Sequence, residues 1–140
     1  MTIMIVQGPH ANARSLSGEL LGHLQQLARA AGRTLEVCSC NGLREFVARV
    51  RTARSQTTEF MLLDPGSLTQ QVQAHPEAGL GDALDALNMP YIEVHDDSDD
   101  TLEPRDVLHA PLATIVIHGD LGTSYRIALG IALRRLSASV

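Results

Sequence analysis

The chain has no lysine and no tryptophan, and aromatic residues make up only 3% of it; its eleven basic side chains are all arginine. Without lysine there is no Schiff-base nucleophile, no attachment point for pyridoxal phosphate and no P-loop lysine. A formal net charge of −5 with no basic tract argues against nucleic acid, which is bound chiefly by arginine and lysine clustered against phosphates. Arg44, Arg49, Arg51 and Arg54 come nearest to a patch, but their spacing scatters them round a helix as a solvated face. No apolar run approaches the roughly 20 residues that span a bilayer. No basic segment precedes Ile3-Met4-Ile5-Val6, as one would in a signal peptide. A soluble, cytosolic protein with no membrane partner is expected. The two cysteines, Cys38 and Cys40, read as buried structural thiols, since a zinc site needs more ligands at defined spacing.

What is present is 140 residues, 44% hydrophobic and 19% charged, the length and composition of one globular domain over residues 1–140. Short apolar runs at 3–6, 35–38, 60–63, 91–94 and 114–117 each stop in or near a cluster of Gly, Pro, His, Asn or Asp. Runs apolar on both faces read as buried parallel strands. Between them lie amphipathic stretches: Leu16 to Ala31, closed by Gly32; Leu43, Phe46, Val47 and Val50, with Asn41 as the cap; Leu80 to Leu87; and Tyr125 to Leu136. Residues 68–79 carry a weaker pattern and predict a loop or broken helix. The alternation predicts an α/β fold with a five-stranded parallel sheet in the order 2-1-3-4-5 and helices on both faces.

In such sheets ligands bind outside the carboxyl ends of the strands, at the point where strand order reverses. The loops after strands 1, 3 and 4 should therefore gather His10, Asn12, Asp64, Ser67, His95, Asp97 and Ser98 round a small polar ligand. His95, at a strand end before Asp96-Asp97, suits a general acid near neutral pH. Asp96, Asp97, Asp99 and Asp100 lack the glycine and glutamate of a calcium loop, so no metal is expected there. His118-Gly119-Asp120-Leu121-Gly122 has the glycines of an anion cradle, but only as a lone Gly-x-x-Gly. Gly-x-Ser-x-Gly, His-Glu-x-x-His and Gly-x-Gly-x-x-Gly are all absent, which removes the usual hydrolase, metalloprotease and nicotinamide readings. Acid–base work on a small molecule, or its binding, is left.

These residues also carry a resemblance. Met4-Ile5-Val6-Gln7-Gly8-Pro9-His10 resembles the opening strand and Asn-Gly-Pro-Asn turn of the type II 3-dehydroquinases. Leu63-Asp64-Pro65-Gly66 is similar to their Asn-Pro-Gly segment, and Pro90-Tyr91-Ile92-Glu93-Val94-His95 to their Pro-x-x-Glu-Val-His. Residues from Pro111 through Tyr125 to Leu133 resemble their last strand and helix. The resemblance implies a flavodoxin-like three-layer sandwich, a homo-oligomer built from trimers into a dodecamer, and a cofactor-free dehydration of 3-dehydroquinate in the shikimate pathway. It implies a tyrosine base activated by a lid arginine, an Asn in the first turn that stabilises the enolate, and a histidine that protonates the departing hydroxyl.

Carried over by residue, the resemblance makes His95 the acid and keeps Glu93 before it. The first-turn Asn becomes His10, the upstream Asn becomes Gln7, and Ser-Asn after the acid becomes Asp97-Ser98. The family's other active-site histidine falls on Gln70 or His75, depending on the direction of counting. Residues 12–15 run straight into the first helix, so the Arg and Tyr of the lid have no counterpart. A divergent lyase or isomerase on a small oxygenated substrate is expected. Its catalytic groups are His95, His10 and His75, and its binding groups are Asn12, Asp64, Ser67, Asp97, Ser98 and Arg105. Ordinary dehydroquinase activity is not expected, and the alternative is a non-catalytic paralogue that binds a metabolite or serves a structural role.

Overall fold

Strands that are apolar on both faces must be covered on both, and this chain does so by placing helices on each side of its sheet. The computed structural model describes residues 2–9, 17–53, 57–95, 110–117 and 119–138. In chain order the elements are β1 (Thr2–Gln7), α1 (Gly18–Ala30), β2 (Thr34–Ser39), α2 (Leu43–Thr52), β3 (Thr58–Asp64), α3 (Thr69–Ala74), α4 (Leu80–Asp85), β4 (Tyr91–His95), β5 (Ala113–Val116) and α5 (Leu121–Ala138). All strand pairs are parallel, and the order is β2-β1-β3-β4-β5. The expected sheet is the observed one.

Successive side chains of a strand point to opposite faces, and the core divides accordingly. Ile3, Ile5, Phe60, Leu62, Ile92 and Val94 meet α1 and α5 through Leu24, Ala28, Tyr125 and Leu129. Val6, Met61, Leu63 and Tyr91 meet α2 and α4 through Phe46, Val50, Leu80 and Leu84. Each such large apolar side chain contributes about 1.5–3 kcal/mol on full burial.

Local chemistry sets the boundaries. The Ser17 hydroxyl accepts the Leu20 N–H at 3.1 Å, capping α1, and Gly32 takes a φ of 77° beyond its end. Asn41 does not cap α2: the cap position is Gly42, and Asn41 instead donates its backbone N–H to Glu45 at 3.0 Å. Residues 66–78 form a broken helix, with 3-10 turns at Gly66–Leu68 and Pro76–Ala78 on either side of α3. Helix α5 begins at Leu121, earlier than its apolar pattern predicts. The cause is Asp120, whose carboxylate accepts the Thr123 N–H at 3.0 Å and the Thr123 hydroxyl at 2.7 Å. These bonds hold the carboxyl below the usual range, and an internal anion stands where the glycine turn suggested an external one.

Both cysteines are free, but only Cys40 is a buried structural thiol. Burial, then the nearby Glu45 charge, push its pKa up to about 11. Cys38, on edge strand β2, is only half-buried, so the expectation of two buried thiols is corrected.

Candidate active site

The loops after β1 and β3 are sewn together at the carboxyl end of the sheet. The Gly8 N–H donates to the Asp64 carbonyl at 2.7 Å, and the Ser67 N–H to the Pro9 carbonyl at 2.8 Å. The Ser67 hydroxyl reaches the same Pro9 carbonyl at 2.8 Å. Gly8 is required for want of space: a Cβ there would sit 2.3 Å from the Pro65 carbonyl oxygen. Ser67 thus lies at the joint between the two loops, as its sequence position suggested.

His95 closes β4 and shares a face with Tyr91 and Glu93, toward the α2 and α4 layer. Its side chain is 0% exposed and Glu93's is 3%, with Nε2 3.6 Å from Glu93 Oε2. That separation is beyond hydrogen-bond reach, and neither ring nitrogen has a hydrogen-bond partner among the described residues. Glu93 is steadied by the Thr114 hydroxyl, which donates to Oε2 at 3.3 Å. The main chain of His95 is anchored from the other layer, where the Ser124 hydroxyl donates to its carbonyl at 3.1 Å. Buried polar atoms are nearly always satisfied, and an imidazole left open beside a carboxylate is the kind of exception found at reactive sites.

Two expected site residues lie elsewhere. Asp64 is fully buried and faces the α1 and α5 layer, where it accepts the Tyr125 hydroxyl at 2.5 Å and the Gln7 amide at 3.4 Å. Its parity along β3 puts it on the opposite side of the sheet from His95, so the strand tips do not bring these two side chains together. His75 follows α3 with a 62% exposed side chain, hydrogen-bonded to Glu77 at 3.0 Å; the Glu77 backbone N–H, then this bond, hold the Glu77 carboxyl low. It is a surface hydrogen-bonded pair, and His75 makes no hydrogen bond to His95. His10, Asn12, Asp97, Ser98 and Arg105 lie outside the described residues.

Sequence reasoning gave no role to Gln7 or Tyr125. The signal for Gln7 was a polar residue two places after Ile5, on the same inward face. Tyr125 is fully buried, and burial followed by the Asp64 charge raises its hydroxyl well above the ordinary tyrosine value. Tyr91 is also fully buried and is raised by burial and then by the Glu93 and Asp85 charges. Both shifts run against a tyrosine base, and these two are the only tyrosines in the chain.

A separate half-open cleft of about 410 Å³ opens between the first turns of α1 and α5, lined by Ser17, Leu20, His23, Asp120, Thr123 and Arg126. Ser17 and Asp120 are already engaged in capping those helices. Among the described residues no cluster of three or more His, Cys, Asp or Glu is placed to hold a metal ion, and no helix is long and apolar enough to cross a membrane.

A five-stranded doubly wound parallel sheet, with a buried carboxylate and imidazole side by side at a strand tip next to its switch point, defines a flavodoxin-like α/β fold. The comparisons narrow this further. The family described as Dehydroquinase class II matches residues 1–133. A 3-dehydroquinate dehydratase of Stutzerimonas stutzeri is 32% identical over 150 aligned positions covering 99% of each chain. A 3-dehydroquinate dehydratase 1 of Pseudomonas putida is 32% identical, covering 99% of this chain and 96% of its own. Among solved structures, the type II dehydroquinase of Propionibacterium acnes superposes with a TM-score of 0.69 at 21% identity over 95% of this chain and 98% of its own. A 3-dehydroquinate dehydratase-like protein of Bifidobacterium longum gives 0.63 at 22% identity over 96% and 97%. The chain belongs to the class II dehydroquinase family.

Proposed function

We propose that this protein is a cofactor-independent carbon–oxygen lyase that removes water from a cyclic hydroxy-keto acid of the 3-dehydroquinate type. The observation that carries the reading is the buried Glu93–His95 pair, whose ring nitrogens have no hydrogen-bond partner among the described residues, at a strand tip of a chain in this family. In the reaction His95 gives its proton to the departing hydroxyl as the carbon–oxygen bond breaks, so that water leaves. A base takes the proton beside the ketone, and the carbon–hydrogen electron pair becomes the new double bond. Glu93, fixed by Thr114, acts on the ring through its charge at 3.6 Å and not through a hydrogen bond.

The base in this reading is His10, the next residue in the sequence after Pro9, with His75 as the alternative. Neither tyrosine serves, since both hydroxyls are enclosed. Ser67, Asn12, Asp97, Ser98 and Arg105 form the binding shell, and the reading places the enzyme in the cytoplasm and in the shikimate pathway.

The test is incubation with 3-dehydroquinate while ultraviolet absorbance of the conjugated enone is followed. Turnover is expected about 10²–10⁴-fold below that of a family member with the lid tyrosine and arginine, the usual cost of losing a general base. Parity would overturn the argument from the missing lid, and binding without turnover would assign the non-catalytic alternative. The same reading has the 15.1 kDa chain assembled through trimers into a dodecamer. Light scattering should then return twelve times the chain mass, and a monomer would remove that part.

A further inference from the structure

We infer that Tyr125 is a positioning residue for the site, acting from the far layer of the molecule through the buried carboxylate of Asp64. The inference rests on the dehydratase reading only where turnover is the measure. Asp64 ends β3 and Gln7 ends β1, the two strands that flank the switch point. One oxygen of Asp64 accepts both the Tyr125 hydroxyl at 2.5 Å and the Gln7 amide at 3.4 Å, so a helix and two strand ends meet on a single atom. Tyr125 and Asp64 are wholly buried and Gln7 is 4% exposed. A hydroxyl-to-carboxylate bond of this length is charge-assisted and roughly twice as strong as a neutral one. Removing its donor leaves a buried charge under-satisfied, which costs more than the bond itself contributes.

The backbone carries the effect onward. Asp64's own carbonyl takes the Gly8 N–H, and Pro9's carbonyl takes the Ser67 N–H, so a shift of Asp64 loosens the seam on which the first and third loops depend. The residue next to Tyr125 acts in the same direction, for Ser124 holds the carbonyl of His95. The first turns of α5 thereby fix the tips of β1, β3 and β4 together, although their side chains point away from the open imidazole.

The test compares Tyr125→Phe, Asp64→Asn and the double variant Tyr125→Phe/Asp64→Asn. Tyr125→Phe keeps the ring's packing but takes the short hydroxyl bond from the buried carboxylate. It should lower kcat on 3-dehydroquinate about tenfold with KM within about threefold, and speed hydrogen exchange at the Gly8 and Ser67 amides about tenfold, as expected for a lost charge-assisted bond. In the double variant the group deprived of that bond is an uncharged amide, and both readouts should recover relative to Tyr125→Phe. A side chain that matters only for overall stability would lower the melting temperature without this rescue and without loosening those two amides selectively. The inference is overturned if Tyr125→Phe leaves kcat and both exchange rates within twofold, or if the double variant is no better than the single one. Should the parent chain show no turnover, the dehydratase reading falls by itself and the two amides alone decide the positioning claim.

Discussion

A His95→Ala variant should lose about 10²–10⁴-fold in turnover of 3-dehydroquinate while remaining folded, the range that follows removal of a general acid. The ring ends β4 with its nitrogens uncommitted, so its removal breaks no hydrogen bond among the described residues. The strand end is held by main-chain contacts that survive truncation: Ser124 and the Ile117 N–H both donate to the His95 carbonyl, at 3.1 Å and 3.4 Å. What is lost is the proton donor of the proposed reaction, together with the ring that stands beside Glu93. His95→Gln restores a polar side chain of nearly the same size without an imidazole to serve as the proposed acid. It should therefore recover stability and not rate. Steady-state kinetics beside thermal melts separate the two effects, and retention of parental kcat by either variant would rule out His95 as the acid.

The turn from sheet to site could be read in the sequence because each strand stops at residues that cannot continue it. Gly8-Pro9 after β1 and Pro65-Gly66 after β3 mark the two tips that do meet, and Pro90 marks the start of β4. Strand order followed from the same alternation of elements. The faces of the strand-end side chains were not legible, for a physical reason. A strand such as Phe60-Met61-Leu62-Leu63 is apolar on both sides, so it lacks the polar alternation that would reveal which parity faces which layer. Asp64 and His95 look equivalent in one dimension, each the last residue of its strand. Only the packing of Phe60 and Leu62 against α5, and of Tyr91 against α2 and α4, sends them to opposite sides. Tyr125 was missed for a related cause. Its partner stands sixty-one residues away in the chain, and a buried aromatic on a helix reads as core until its hydroxyl is seen to end on a carboxylate.

Gly8→Ala tests the other half of the arrangement, the close passage of two loops. The methyl would stand 2.3 Å from the Pro65 carbonyl oxygen and 2.9 Å from Leu68 Cδ1. Leu68 can rotate, but a backbone oxygen held between β3 and the following 3-10 turn cannot, so the loops must part. Parting stretches the Gly8-to-Asp64 and Ser67-to-Pro9 hydrogen bonds. Forced overpacking and one lost buried bond together place the cost at about 2–4 kcal/mol. Gly22, inside α1 with nothing within 4 Å of its would-be Cβ, supplies the control. There the same substitution should stabilise by about 0.5–1 kcal/mol, because a helix-interior glycine gives up more backbone entropy on folding than alanine. Urea unfolding midpoints should therefore move in opposite directions for the two variants. The Gly8→Ala protein should also lose turnover beyond its unfolded fraction, since the Gly8-Pro9 turn and the Pro65-Gly66-Ser67 turn no longer meet as they do in the parent. A midpoint for Gly8→Ala at or above that of the parent would mean that the two loops do not approach as closely as the site requires.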